Sequence, residues 1–219
     1  RSIMVKGILI LHANQVGNVY PQELREILSH RVSFIAPPQT AQEIEDNPSL
    51  LNEVEVIFSS WGMVKLDEHI LAHAPKLKAV FYGAGSIRYF TTPAMWQRGI
   101  RVSSAYHVNG EYVANFTLAQ ILLSLKGYWS FTRQYREHRQ TWQRFPVGGM
   151  YHSTVGIISL GAIGVQVARL LQPFDINVIA YDPFWHQYHA DRFGTTLVPL
   201  DTLFATADVV SLHTPWLPE

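Results

Sequence analysis

Residues 155–182 read VGIISLGAIGVQVARLLQPFDINVIAYD, and few folds accommodate that order of residues. The branched apolar run Val155 to Ile158 predicts a buried strand, and Ser159-Leu160-Gly161-Ala162-Ile163-Gly164 turns it into a helix from Ile163 to about Leu171. Asn177 to Tyr181 predicts the next strand, which ends at Asp182, 18 residues after Gly164. A carboxylate roughly 20 residues beyond such a turn is where a ribose-binding acid belongs. Gly161 would let backbone approach a pyrophosphate, and Gly164 would let the helix pack against the strand. The helix N-terminus offers unpaired N–H groups and a positive dipole end to phosphates. Asp182 would accept from both hydroxyls of an adenosine ribose and repel a 2′-phosphate. The spacing therefore points to NAD rather than NADP.

One position departs from the glycine pattern. Ser159 stands at the tight turn where the first glycine usually sits, and a side chain there is tolerated only if φ stays negative. The competing reading is that Gly161 and Gly164 serve only strand-to-helix packing in another kind of α/β protein.

Elsewhere the chain repeats the same grammar. Gly7 to Leu11, Val32 to Ile35, Val56 to Ser59, Leu77 to Tyr82 and Ile100 to Ser103 are short apolar or β-branched runs. Helical candidates lie between them at Pro21 to Ser29, Ala41 to Asp46, Asp67 to His73 and Pro93 to Arg98, the last with Thr92 as N-cap and Pro93 at the first helical position. A long helix is expected from Asn109 to about Gly127, continuing as the aromatic and basic run Tyr128 to Phe145, with a break at Pro146-Val147-Gly148-Gly149. After Asp182 the pattern resumes with a helix near His186 to Phe193, a strand near Thr196 to Val198, a helix near Leu200 to Ala205 and a strand from Asp208 to Leu212. Such alternation means mainly parallel sheets covered on both faces, here as two α/β units of similar size joined by a long helix.

Composition narrows the function classes. The chain has 219 residues, 47% hydrophobic and 16% charged, enough to bury a sizeable core. Lys plus Arg and Asp plus Glu both total 17, which argues against a general nucleic-acid or anionic-membrane binder. Absence of cysteine removes disulfides, thiolate metal sites and cysteine nucleophiles. The most apolar windows are interrupted by Asn115, Gln120, Gln166 and Arg169, so neither reads as a membrane span. No signal-peptide pattern opens the chain, which leaves cytoplasmic as the default location. In the run from Tyr128 to Phe145, Arg133, Arg136, Arg139 and Arg144 alternate with Tyr135, Trp142 and Phe145, a pattern open to single-strand stacking. Neutral overall charge and helical spacing favour a dimer-forming or solvated helix instead.

Taken together, these segments resemble the D-isomer-specific 2-hydroxyacid dehydrogenases. The matching words are Leu77-Lys78-Ala79-Val80 leading into Gly83-Ala84-Gly85-Ser86, then Gly99-Ile100-Arg101-Val102, Asn109 with Val113-Ala114, Trp142, and the turn up to Gly164. Tyr181-Asp182-Pro183 and the run Ala207 to Pro215, ADVVSLHTP, complete the order. The resemblance implies an α/β chain with a flavodoxin-like substrate domain over 1–107 and a Rossmann-type NAD-binding domain over 108–219, both mainly parallel. It implies hydride transfer between NADH and a 2-oxo acid or D-2-hydroxy acid, and a homodimer joined through the NAD domains. No nucleic-acid, membrane or metal partner is expected.

Carried over by position, the resemblance puts the substrate carboxylate on the backbone of Ala84, Gly85 and Ser86, an anion-binding concavity or an ordinary glycine turn. Asn109 falls on a substrate-contacting asparagine; its place ahead of the long helix equally suits an N-cap. Cofactor contacts fall on Ser159, Gly161, Ala162, Ile163, Gly164 and Asp182, and on Thr214 and Pro215 beside the adenosine. His213, just before those two, is a further cofactor-contact candidate, although a satisfied structural histidine suits its place at a strand end better. Asn115 stands where many relatives carry a glutamate, and Arg88 where many carry asparagine or histidine, which leaves the substrate and the subfamily open. The family's catalytic histidine, its orienting carboxylate and its substrate-binding arginine come from segments after the His-Thr-Pro element. No catalytic residue is assigned within this chain, which is expected to be a fragment of a longer enzyme. The same fold and NAD site also occur in dehydrogenase-like corepressors, where the cofactor controls a protein contact and nothing turns over.

Overall fold

Apolar strands bounded by capped helices build two separate parallel sheets. The computed structural model describes residues 4–139 and 147–215. Trp142, Arg144 and Phe145 lie outside the described residues. The chain divides into two compact units, Arg1–Tyr106 and His107–Glu219.

The first unit runs β1 (Val5–Ile10), α1 (Val16–Val19), α2 (Gln22–Ser29), β2 (Val32–Phe34), α3 (Ala41–Asp46), β3 (Val56–Ser59), α4 (Glu68–Ala72), β4 (Ala79–Tyr82), α5 (Pro93–Gln97) and β5 (Arg101–Ser104). Its five strands are parallel in the order β2-β1-β3-β4-β5. That is the flavodoxin-like arrangement. Successive residues of β1 serve opposite faces. Ile8 and Ile10 join the core of Ile44, Ile57, Leu66, Phe90 and Met95, whereas Leu9 and Leu11 join Tyr20, Val32 and Phe58. Burial on both faces explains why β1 reads as a continuous apolar run rather than an alternating one.

Local chemistry starts the helices. Thr40 and Glu43 form a reciprocal capping box at α3, Asp67 caps α4 through the Ile70 amide, and Thr92 caps α5 through the Met95 amide with Pro93 in the first turn.

From the second residue of α6 (Tyr106–Leu125) the chain belongs to the second unit, which continues with α7 (Tyr128–His138), β6 (Ser153–Ile158), α8 (Ala162–Leu171), β7 (Ile176–Tyr181), α9 (Gln187–Ala190), β8 (Thr195–Leu197), α10 (Leu200–Thr206) and β9 (Val209–Leu212). Its four strands are parallel in the order β8-β7-β6-β9. Ala114, Ile121 and Leu125 of α6 pack into the same core as Val155, Ile157, Val167, Leu171 and Val178. The long helix therefore belongs to the second sheet's packing. Among the described residues, no helix is long and apolar enough to cross a membrane.

Three expectations need correction. Helix α6 begins at Tyr106, so Asn109 lies inside it and is not its N-cap. The Ala105 amide still bonds strand β4 through Tyr82 O, and helix follows at the next residue, whatever capping preference Asn109 carries. The long helix does not continue into the aromatic run, because Gly127 adopts φ +66° and divides α6 from α7. The helix expected over 186–193 is a single α turn, α9, followed by a 3₁₀ turn at Asp191–Phe193.

Candidate functional site

Strand β6 ends at Ile158, and the next six residues convert it into α8. Gly161 is the N-cap, with φ −74° and ψ −163°, and Val165 N–H makes the first helical bond to Gly161 O at 3.1 Å. The N–H groups of Ala162, Ile163 and Gly164 thus lead the helix with no intrahelical acceptor. The two glycines do different jobs. A Cβ on Gly164 would overlap the carbonyl of Ser159 and crowd Ile157, so this position is a packing requirement. A Cβ on Gly161 would meet only Ser159 Oγ, at 3.9 Å, so the space before the helix end is open. Packing alone explains Gly164 and leaves Gly161 unexplained.

Ser159 contradicts the expected negative φ, because it sits in the left-handed region at φ +75°. For a residue with a Cβ that conformation costs about 1–2 kcal/mol. Neighbouring bonds hold it there. Ser159 N–H donates to Tyr181 O at 2.9 Å, Leu160 N–H donates to Asp182 Oδ2 at 2.8 Å, and Gly164 packs beneath the Ser159 carbonyl.

Asp182 stands at the end of β7, half-buried. Its second oxygen, Oδ1, accepts from Phe184 N–H at 2.9 Å. Each carboxylate oxygen has two lone-pair directions, so both keep capacity for an outside donor. The carboxylate therefore ties the turn to the neighbouring strand while keeping acceptor capacity to spare.

Strand order reverses beside β6, since β7 and β8 lie on one side and β9 on the other. In open α/β sheets, ligands bind outside the carboxyl ends of strands at such a reversal. His213, Thr214 and Pro215 follow β9 there, and His213 N–H donates to Ile158 O at 2.9 Å. The His213 imidazole lies 2.9 Å from Ser211 Oγ, and burial pushes its pKa below the usual histidine value. Thr214 and Pro215 are exposed. One sheet end thus gathers Ser159, Gly161, Ala162, Ile163, Gly164, Asp182 and the 213–215 segment.

Ala84, Gly85 and Ser86 belong to the first unit, in the loop after β4. Gly83 N–H bonds Ser59 O at 2.7 Å and Ala84 O accepts from Ala105 N–H at 3.1 Å, which pins the loop at its start. Among the described residues, no acceptor takes the N–H groups of Ala84, Gly85 or Ser86. Asn109, in the second unit, is half-buried on α6.

Sequence patterns missed the group packed beside this loop. Tyr89 Oη donates to Ser60 O at 3.1 Å, lies 2.9 Å from Tyr82 Oη and accepts from Met63 N–H at 3.3 Å. It thereby ties the loop after β3 to the chain just after Ser86. That β3 loop exposes Trp61 and holds Gly62 at φ +90°, where a Cβ would fall 2.5 Å from His12 Nδ1. Only the strand order reveals these residues, because His12 and Trp61 follow β1 and β3, on either side of the first sheet's own reversal. An apolar concavity of about 590 Å³ along α7 is lined by Tyr128, Phe131, Thr132, Tyr135 and Arg136, none of which belongs to either loop.

The open cradle at Gly161, the leading amides of α8 and the acceptor-only Asp182 fit a dinucleotide with a free ribose diol. Residues 118–219 match the family "D-isomer specific 2-hydroxyacid dehydrogenase, NAD binding domain". The chain is 35% identical over 156 residues to D-3-phosphoglycerate dehydrogenase of Mycobacterium tuberculosis, a match covering 70% of this chain and 29% of that relative. The pyruvate reductase of Chlamydomonas reinhardtii has the same fold, with a TM-score of 0.70, 23% identity and coverage of 99% of this chain and 63% of that one. So has an NAD-dependent formate dehydrogenase from Staphylococcus aureus in complex with NAD, with a TM-score of 0.70, 23% identity and coverage of 98% and 66%. The second unit thus carries the NAD-binding domain of the D-isomer-specific 2-hydroxyacid dehydrogenase family, with NAD as its cofactor.

Proposed function

We propose that this chain supplies the substrate-carboxylate loop and the NAD site of an oxidoreductase that interconverts a 2-oxo acid and a D-2-hydroxy acid. One observation carries the reading: the turn 159–164 opens at the reversal point of the second sheet, beside Asp182, with Gly161 leaving room for a phosphate. When bound, NADH supplies the hydride. The chain's own residues bind and orient. Ala162, Ile163 and Gly164 would present amide donors to the pyrophosphate, and the N-terminal end of α8 would favour its negative charge. Asp182 would accept from the adenosine ribose hydroxyls and disfavour a 2′-phosphate. Thr214 and Pro215 would line the adenosine side.

The unengaged amides of Ala84, Gly85 and Ser86 would receive the substrate carboxylate, with Asn109 as a further contact. His213 accounts for no chemical step. Its backbone extends the β6–β9 ladder, and burial pushes its pKa below the usual histidine value, favouring the neutral ring. The protein would act as a homodimer joined through the NAD-binding units.

NADH oxidation by the full-length protein, followed at 340 nm with a panel of small 2-oxo acids, tests the reading, together with the reverse reaction on D- and L-2-hydroxy acids. Turnover restricted to 2-oxo acids and the D series supports it. Tight NADH binding that drives association without turnover would replace it with the interaction-protein reading.

A further inference from the structure

We propose that the hydroxyl of Ser159 is a phosphate donor, adding a side-chain contact to the cofactor pyrophosphate that a glycine at this position could not make. The inference rests on NAD occupying the turn of the second unit. Three observations converge on it. Ser159 is held at φ +75°, a conformation that glycine adopts freely and a residue with a Cβ does not, so the side chain is kept against a backbone preference. Among the described residues, and beyond Gly161 and its two chain neighbours, its Oγ is the only atom within 4 Å of where a Cβ on Gly161 would stand, at 3.9 Å, which puts the hydroxyl at the margin of the space Gly161 leaves open. Among the described residues that hydroxyl has no hydrogen-bond partner, although Ser159 is half-buried.

A hydroxyl carries one donor proton and can turn it toward an anion. The leading amides of α8 open onto the same space, so a phosphate bound there would receive backbone donors from the helix and one side-chain donor from the turn. Strain concentrated at a ligand clamp is where a conformation that glycine would ease is expected to persist. The hydroxyl gives Ser159 a contact to offset that strain, and a methyl group in its place would not.

The test uses the 219-residue chain with Ser159→Ala and Ser159→Gly, calorimetric titration with ADP, NADH and adenosine, and thermal melting without ligand. Alanine keeps the backbone strain and removes the hydroxyl; glycine removes both. The expected result is ADP and NADH binding about tenfold weaker in both variants, with adenosine affinity unchanged, because only the pyrophosphate meets the hydroxyl. Ser159→Gly should also melt higher than the parent by about 2–4 °C as the strain is released. Glycine and alanine variants that bind ADP as tightly as the parent would overturn the proposal. Equal losses for ADP and adenosine would also overturn it, since the hydroxyl would then be shaping the turn and not contacting phosphate. Failure of the unaltered chain to bind either ADP or NADH would remove the NAD site itself, an outcome separable from the other two because it appears before any substitution.

Discussion

Leu160 N–H donates to Asp182 Oδ2 at 2.8 Å, so the carboxylate proposed for the adenosine ribose also holds the turn proposed for the pyrophosphate. Cofactor selection and turn geometry therefore meet in one side chain. Replacing Asp182 with Ser should weaken NADH binding by about 1–3 kcal/mol, the scale of hydrogen bonds to a charged group. The preference for NADH over NADPH should narrow at the same time. Titration with both cofactors decides it, and unchanged affinity for both would remove Asp182 from the ribose site.

The two glycines of the turn should separate stability from binding. Gly164→Ala forces a Cβ into the Ser159 carbonyl and should destabilise the unit by at least about 2 kcal/mol. Gly161→Ala meets open space at a negative φ and should change stability by no more than about 1 kcal/mol, the range of N-cap effects. Its NADH affinity should nevertheless fall at least about tenfold, by intrusion on the phosphate. Melting curves and titrations on both variants check the split, and similar behaviour of the two would contradict it.

The carboxylate loop should act on substrate alone. Gly85→Pro deletes one of the three unengaged amides. Oxamate, a 2-oxo acid mimic, should bind about tenfold more weakly to the NADH-loaded protein, the scale of a hydrogen bond to a charged group. The NADH dissociation constant should stay as it was. A shift in NADH affinity instead would mean that the loop does not serve the substrate.

Acid stability should report on Glu53, which lies 2.6 Å from Lys76 Nζ and 2.9 Å from Lys6 Nζ. Hydrogen bonds from Lys76 and then Lys6, with their charges, hold its carboxyl down at about 2. Because the folded value lies below the unfolded one, near 4.5, the contribution is full above about pH 4.5 and is lost as pH falls toward 2. Glu53 is exposed, so the effect is modest and salt-sensitive. Glu53→Gln should flatten the acid limb of a melting-temperature profile between those values, most clearly at low ionic strength.

Where burial pattern and local capping decide structure, the sequence was legible. Val56 to Ser59 and Ala41 to Asp46 are found at the expected bounds, and Thr92 with Pro93 starts α5 as expected. Strands buried on both faces must be apolar throughout, and a threonine ahead of proline offers its oxygen to the second or third helical amide whatever lies elsewhere. The Gly161–Asp182 interval was legible for the same reason, since strand, turn, helix and strand are consecutive in the chain.

Contacts between distant segments decided the rest. Ser159 takes a positive φ because Tyr181 and Asp182 hold it and Leu160 from outside the turn and Gly164 packs beneath its carbonyl, and the first two constraints are invisible in residues 159–164 alone. Asn109 is a good N-cap by type, yet the helix begins at Tyr106 because Ala105 is still bonded to strand β4 at Tyr82. Trp61, Gly62 and His12 meet only because β1 and β3 are neighbours, an order set by packing across the whole sheet. The sequence by itself determined which segments are strands and helices and which carboxylate follows the glycine turn, because periodicity, capping and spacing act over a few residues. Tertiary structure alone decided strand order, the strain at Ser159 and which amides remain unengaged, because each depends on which distant atoms occupy the neighbouring space.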